Sequence, residues 1–218
     1  MDTLDSRSLR YIDCFGQKLS SPGQLRYRLA TAAGAWLPVD GHIFTIDVKR
    51  GRRASNKGQQ HNVTVRREGQ RLVADPSHLE IEAGDMVLWH TPDPSISGFT
   101  VRGEGAGDTF DSAALSSEAV YTHAFGTPGD YHWVDANGGP ASGTVQVRAL
   151  APVNKEEFEK WVGALKNGAL ITINGDKATP ERVQILVGQT VFWAVEKAPG
   201  ISITDARLAP GARSAGRS

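Results

Sequence analysis

The side chains best suited to chemistry in this chain are six histidines, one cysteine and a scatter of acidic residues. Asp40 and His42 stand two residues apart, with a single glycine between them. Imidazole and carboxylate groups together suit zinc or copper, so this pair is the best single candidate for a metal site. The spacing of the other histidines selects no partner for them, and we expect ordinary surface or core positions. These are His61, His78, His90, His123 and His132.

Nucleophilic and acid–base catalysis find little support in the sequence. Cys14 has no identifiable base partner, and there is no G-x-S-x-G sequence to present a catalytic serine. Asp108 and Asp111 flank Phe110 in a predicted loop, where carboxylates are ordinarily solvated. The glycine-rich stretch 101–108 lacks the lysine and helix of a phosphate-binding loop. We therefore expect that the protein is not an enzyme.

The elements that must position these side chains come from an internal repeat. Residues 76–89 and 180–193 align without a gap at a shift of 104 (180 minus 76), with Pro, Ile, Gly, Val and Trp in register. Two further segments align with small gaps, and each closes on a strand. They are 15–36 with its strand 44–48, and 110–131 with its strand 143–147. Self-similarity in two complementary segments predicts a repeated architecture.

The repeated segments have the alternation that is typical of half-buried β-strands. Hydrophobic residues occupy the odd positions from Leu79 to Trp89, around an Ala-Gly-Asp turn, and mostly polar residues lie between them. Short strands separated by turns with Gly and Pro indicate an antiparallel β-sandwich. Residues 154–167 depart from this pattern, since Asn154 can cap an amphipathic helix there. We expect the apolar stripe of that helix to pack against the protein, with a partner-binding face as the alternative.

The middle of the chain resembles the cupredoxins, the plastocyanin-like copper proteins. The motifs that carry the resemblance are I-x-x-G-D-x-V-x-W at 81–89, F-D-S-x-x-L at 110–115, T-P-G-x-Y at 127–131 and G-T-V-x-V at 143–147. With the two terminal segments added, the resemblance implies an all-β fold. It consists of two cupredoxin-like Greek-key β-sandwiches, one continuous and one assembled from N- and C-terminal halves, with one connecting α-helix. Such motifs indicate fold more strongly than function.

Cupredoxins hold copper with a His in the first half of the sandwich and with a Cys, a His and usually a Met near its last turn. By the resemblance, the first His position falls at Phe99 and at Ile201. The Cys position falls at Asp135 and at Asp40. A type 1 copper site requires a thiolate with imidazoles, so the resemblance implies that copper is lost and that no cofactor is bound. The alternative is a non-standard metal-binding or redox site made of Asp40, His42 and Asp135.

The order of the halves predicts how the chain is divided. The predicted parts are a second half at 1–50, a basic linker at 51–60, a complete domain at 61–150, a helical connector at 151–168, a first half at 169–208 and a disordered tail at 209–218. The terminal halves should then pair, because a half-sandwich exposes apolar faces and unpaired strands. The predicted contacts are Leu25, Tyr27, Leu29 and Trp36 on one half, and Val183, Ile185, Val191 and Trp193 on the other.

Pairing of the terminal halves within one chain gives a closed sandwich, and pairing between chains gives rings or filaments. We therefore expect a non-catalytic, copper-free structural or interaction protein, with self-association through the terminal halves as its potential partner contact.

The composition of the chain gives no reason to expect binding to charged polymers or to membranes. The chain has 24 basic and 24 acidic residues, and no apolar run approaches membrane-spanning length, so neither nucleic acid nor a membrane is expected as a partner. Residues 49–60 carry five basic groups and no acid, typical of a solvated linker, with an anion or nucleic-acid contact as the alternative. The N-terminus lacks a signal-peptide layout. That indicates the cytoplasm, or the periplasm or cell exterior if a leader has been removed.

Overall fold

A computed structural model describes residues 3–31, 43–51, 58–149 and 154–209. Within these residues the chain forms seventeen β-strands, one α-helix and one short 3-10 helix. The strands of the first part are β1 (Asp13–Leu19), β2 (Gly23–Thr31), β3 (Phe44–Lys49), β4 (Gln60–Glu68), β5 (Arg71–Asp75), β6 (His78–Glu82), β7 (Asp85–His90), β8 (Phe99–Gly105) and β9 (Asp108–Asp111). The remaining elements are β10 (Ala119–Ala124), β11 (Gly129–Asp135), β12 (Ser142–Arg148), α1 (Lys155–Ala164), β13 (Ala169–Asn174), β14 (Lys177–Thr179), β15 (Arg182–Leu186), β16 (Thr190–Lys197), β17 (Ile203–Asp205) and the 3-10 helix Ala206–Leu208.

The strands form two β-sandwiches, and the predicted all-β class with one α-helix is confirmed. In the first sandwich the sheet β6-β3-β2-β8-β9 faces strands β1, β7, β4 and β5, and in the second the sheet β15-β12-β11-β17 faces β10, β16, β13 and β14. Aromatic rings join the two layers. The ring centroids of Tyr27 and Phe110 lie 5.5 and 5.1 Å from that of Trp89, and Trp133 lies 6.1 Å from Trp193.

The repeat in the sequence is also a repeat in the structure. Trp89 and Trp193 lie 104 residues apart (193 minus 89), and both are fully buried. The turn before each of their strands contains a glycine at the same place, Gly84 with φ 96° and Gly188 with φ 91°. Glycine is favoured there because a side chain disfavours positive φ. The aligned sequence segments therefore adopt the same local structure.

Strands β1 and β10 join the two sandwiches. They are antiparallel neighbours, so eight strands form one continuous sheet in the order β14-β13-β16-β10-β1-β7-β4-β5. At this seam Asp13 lies opposite His123, and Phe15 lies opposite Tyr121. Outward from this seam, the order β1, β7, β4, β5 on one side matches the order of the equivalent strands β10, β16, β13, β14 on the other. The two sandwiches are therefore related by an approximate two-fold axis between β1 and β10.

The prediction that the terminal halves pair with each other is wrong. In the first sandwich β1 pairs with β7, β2 with β8 and β3 with β6. In the second, β10 pairs with β16, β11 with β17 and β12 with β15. The predicted complete domain at 61–150 is thus divided between two sandwiches, and the chain is a plain tandem repeat. Each half closes on the half that follows it in sequence, which requires shorter loops than joining the two ends of the chain.

The residues that were predicted to join the terminal halves contribute to separate sandwiches instead. They are Leu25, Tyr27 and Leu29 on β2, Val183 and Ile185 on β15, and Val191 and Trp193 on β16. All but the partly buried Leu29 are buried, so the prediction of burial is confirmed for six of them while the predicted contact partners are wrong. Trp36 lies outside the described residues.

The N-terminal segment, residues 4–9, leads into the first sandwich but completes an edge of the second. The Ser6 N–H donates to the carbonyl of Ile203 at 2.9 Å, and the Ile203 N–H donates to the Ser6 hydroxyl at 3.1 Å. The segment around Ser112, which leads into the second sandwich, in turn completes an edge of the first sandwich. There the Ser112 N–H donates to the Val101 carbonyl at 2.9 Å, and the Val101 N–H donates to the Ser112 hydroxyl at 3.0 Å. The two sandwiches therefore exchange edge segments.

Helix α1 confirms the predicted cap and connects the two halves of the second sandwich. The Asn154 side chain accepts a hydrogen bond from the Glu157 N–H at 2.9 Å, and the helix ends at Ala164 rather than at the predicted residue 167. None of its residues is buried, and Phe158 and Val162 are 49% and 41% exposed. Its apolar stripe is therefore largely exposed, contrary to the expectation that it packs. No helix in the described residues is long and apolar enough to cross a membrane.

Candidate functional site

Asp135 ends strand β11 at a corner of the second sandwich. Its Oδ1 accepts hydrogen bonds from the backbone N–H groups of Asn137 and Ser202, at 3.0 and 2.9 Å. Its Oδ2 accepts one from the Gly139 N–H at 3.2 Å. Hydrogen bonds to a carboxylate are stronger than those between neutral groups. The side chain therefore fastens its own loop to the segment that precedes β17.

Ile201 and Phe99 occupy equivalent positions in the two sandwiches. Ile201 exchanges two backbone hydrogen bonds with Leu115, both at 2.8 Å, and Phe99 exchanges two with Leu9, both at 2.9 Å. Their side chains are 3% and 0% exposed. Both positions belong to the hydrophobic core, and neither side chain has an atom that can bind a metal.

The strand pairing also corrects which of the predicted ligand positions share a sandwich. Asp135 and Ile201 lie together in the second sandwich, next to Ser202, whereas Phe99 lies in the first. Asp40 and His42 lie outside the described residues. The suggested grouping of these two residues with Asp135 therefore stays a prediction, although both oxygens of the Asp135 carboxylate already accept hydrogen bonds.

A buried polar cluster at the seam between β1 and β10 was not predicted from the sequence. His123 Nδ1 lies 2.7 Å from Asp13 Oδ1, and the Tyr121 hydroxyl donates to the same oxygen at 2.8 Å. The Arg10 N–H donates to Asp13 Oδ2 at 2.9 Å, and the Arg10 guanidinium lies 3.6 Å from that oxygen. The Asp13 and His123 side chains are 0% exposed, so their contact joins β1 to β10 in a low-dielectric setting.

The position of this cluster suits a joint rather than a ligand site. Neither Asp13 nor His123 reaches solvent, and the His123 ring packs against Phe125 with centroids 4.6 Å apart. The alternation of Tyr121, His123 and Phe125 in the sequence indicates a common face, and all three are buried. No local signal identifies Asp13 as the partner, because that contact requires the pairing of β1 with β10.

Burial shifts the acidity of several groups around these sites. It raises the pKa of Tyr121 well above the ordinary value of 10, and the Asp13 carboxylate acts in the same direction. It raises the pKa of Tyr27 to about 12. It also raises the pKa of the Cys14 thiol. Since the thiolate is the reactive form, Cys14 has the properties of a structural residue rather than a nucleophile.

Strands β3 and β6 place three potential metal ligands on the surface of the first sandwich. One ligand atom from each of Asp47, His78 and Glu80 lies within 4.8 Å of the others. However, His78 Nδ1 makes a hydrogen bond of 2.8 Å with the Thr45 hydroxyl, and the Lys49 ammonium pairs with Glu80. Surface hydrogen bonds and ion pairs therefore explain the proximity of these three side chains without a metal ion.

The two acids considered for catalysis lie on strand β9 rather than in the predicted loop. Asp108 accepts hydrogen bonds from the Ser21 N–H and hydroxyl at 3.1 and 2.9 Å. Asp111 accepts one from the Ala113 N–H at 2.8 Å. Each carboxylate anchors a different turn, which accounts for both side chains without acid–base chemistry.

Comparisons with known proteins assign no family to this chain. No protein-family model matches it, and the searches of curated proteins and of solved structures find no match either. Function must therefore be inferred from the chain's own side chains and from the way that the two sandwiches are joined.

Proposed function

We propose that this protein is a copper-free relative of the cupredoxins with a non-catalytic structural or interaction role. The internal repeat, the β-sandwich architecture and the motifs around Trp89 and Trp193 support the relationship. The one cysteine of the chain is Cys14 on β1, and Cys14 lies opposite His90 and Thr122 in the central sheet. No thiolate is therefore supplied at Asp135, the position where the resemblance requires it.

The bonding of Asp135 is the observation that carries this proposal. Three backbone N–H groups already use three of the roughly four acceptor positions of this carboxylate, so a metal ion at this corner would compete with them for its lone pairs. The equivalent of the first histidine ligand is Ile201, which is part of the core. Because hydrogen bonds and a core side chain occupy the positions of the expected ligands, this corner supports a structural role for Asp135.

The exchanged edge segments and the continuous central sheet favour a firmly joined pair of sandwiches. Self-association by exchange of half-sandwiches is not part of the proposal, since every half already has its partner within the chain. A partner would instead bind to an outer face of one of the sandwiches.

The test is Asp135→Ala, with Asp130→Ala as the matched control because Asp130 is exposed on the same strand. We expect Asp135→Ala to lower the free energy of unfolding by about 1–3 kcal/mol, since it leaves backbone donors without their acceptor. Asp130→Ala should stay within about 0.5 kcal/mol of the parent protein. Urea denaturation measures both, and copper(II) added to the parent protein should produce no intense visible absorption.

Metal analysis of the purified protein tests the alternative function, a metal-binding or redox module. Stoichiometric metal in the purified protein, lost in Asp135→Ala or in His42→Ala, would replace the proposal with a metal-binding or redox module at Asp40, His42 and Asp135.

A further inference from the structure

The outer face of the sheet β6-β3-β2-β8-β9 contains a recess of ≈ 350 Å³ that plays no part in the core. Arg26 and Arg28 line it from β2, Arg102 lines it from β8, and Ile43 forms one side. Residues two apart on a strand share a face, and Arg102 lies directly opposite Arg28 in the antiparallel register. Three guanidinium groups therefore line one recess.

The positive charge in this recess is only partly compensated. Glu104 lies opposite Arg26, and Arg102 lies 3.9 Å from Asp111. Arg28 faces Arg102, and like charges directly opposite each other in a sheet are destabilising. Among the described residues that line the recess, three guanidinium groups stand against one carboxylate, Glu104, and a bound anion would neutralise this excess of positive charge.

The second sandwich shows that the fold does not need these arginines. The counterparts of Arg28 and Arg102 there are Val134 and Thr204, which lie opposite each other in the same register. Arg28 and Val134 are each the fifth residue after the glycine that begins their strand (28 minus 23, 134 minus 129). The like-charge pair is therefore a property of the first sandwich alone.

We propose that this recess binds a doubly charged oxyanion of the phosphate-monoester type. Guanidinium groups match phosphate oxygens through paired N–H donors, which a lysine cannot do. Ile43 is 48% exposed beside the arginines and offers an apolar surface to the organic part of an ester. Among the described residues, none that lines the recess is aromatic, which disfavours the base stacking used by nucleic-acid sites.

This inference rests on the proposed function in one respect, since it names a ligand class for a protein that acts by binding. The two can fail separately. A metal at Asp135 would overturn the proposed function and leave the anion site standing, whereas absence of anion binding in a copper-free protein would overturn the anion site alone.

The experiment is a titration of the isotope-labelled full chain with phenyl phosphate and with inorganic phosphate, followed by backbone amide NMR. We expect saturable shifts at residues 26–28 and 102–104, and weaker binding at high ionic strength. Arg28→Gln should weaken binding about tenfold, whereas Arg148→Gln, an exposed arginine on β12, should leave it unchanged. Without ligand, Arg28→Gln should melt no lower than the parent protein, because it removes a like-charge pair.

Tighter binding of phenyl phosphate identifies an ester as the ligand, and equal affinity identifies free phosphate; either supports the site. The proposal is overturned if neither ion gives a saturable shift, or if Arg28→Gln and Arg148→Gln bind alike. It is overturned as well if the amides respond only to a single-stranded oligonucleotide, since that response would indicate a polymer site.

Discussion

Asp13 and His123 illustrate how few side chains define the joint between the two sandwiches. A buried carboxylate loses its hydration, so it favours the folded state only if hydrogen-bond donors satisfy its oxygens. Asp13 meets this condition, because Tyr121 and Arg10 donate to its two oxygens in addition to the contact with His123. Removal of its carboxylate leaves several buried polar groups unpaired at once.

Asp13→Ala is therefore expected to lower the free energy of unfolding by about 3–5 kcal/mol, the usual effect of removing one member of a buried pair. Lys18→Ala is the control, because Lys18 and Glu118 also form an ion pair across the seam, at 2.9 Å, but are 40% and 44% exposed. An exposed pair of this kind contributes at most about 1 kcal/mol. Equal losses in the two variants, measured by urea denaturation, would contradict a special role for the buried pair.

At the scale of elements, the two equivalent turns before β7 and β16 offer an internal comparison. Gly84 and Gly188 both have positive φ, but a Cβ on Gly84 would meet nothing within 4 Å, whereas one on Gly188 would lie 2.9 Å from a Leu165 methyl group. The backbone cost of alanine is the same in both turns, roughly 1–2 kcal/mol. Only the second turn adds a steric cost, and that cost is small because the contact is with the end of the partly exposed Leu165 side chain.

Gly188→Ala should therefore lower the melting temperature more than Gly84→Ala, and both should be less stable than the parent protein. Gly163→Ala, in an open position of helix α1, is the control and should be neutral or stabilising, since alanine favours a helix interior. Thermal unfolding followed by circular dichroism measures all three variants. A larger loss for Gly84→Ala would show that the turns are not equivalent in backbone strain.

The elements also mark how far the sequence could predict this structure. Strand positions and turns follow from local signals, such as the alternation that ends at Trp89 and the glycine at residue 84. The pairing of halves does not, because the same apolar faces suit a closed permuted sandwich and a tandem repeat equally well. For the same reason Asp135 could be selected from a motif, but its bond to Ser202 could not. In the sequence, Arg28 and Arg102 are indistinguishable from other exposed arginines. Only the pairing of β2 with β8 places them opposite each other.

At the scale of the whole molecule, the exchanged edge segments make the stability of one sandwich depend on residues next to the other. Leu4 is fully buried, and its carbonyl accepts a hydrogen bond from the Asp205 N–H at 2.9 Å. The segment thus extends the edge at β17, although in the chain it precedes β1.

Leu4→Ala is expected to destabilise the protein by about 2–5 kcal/mol, as for other buried leucines. Hydrogen exchange should quicken first at the amides of Ile203 and Asp205, in the second sandwich. Leu208→Ala, 41% exposed near the same strand, is the control and should change little. Faster exchange confined to β1 and β7 would argue against the exchanged edge.

The exchange of edge segments also sets an order of events during synthesis on the ribosome. The first sandwich has all of its strands once residue 112 has emerged. Residues 4–9 are made about two hundred residues before residues 203–205, which form the edge that they complete. The nascent chain must therefore hold residues 4–9 undocked, open to chaperones and proteases, until residues 203–205 have emerged.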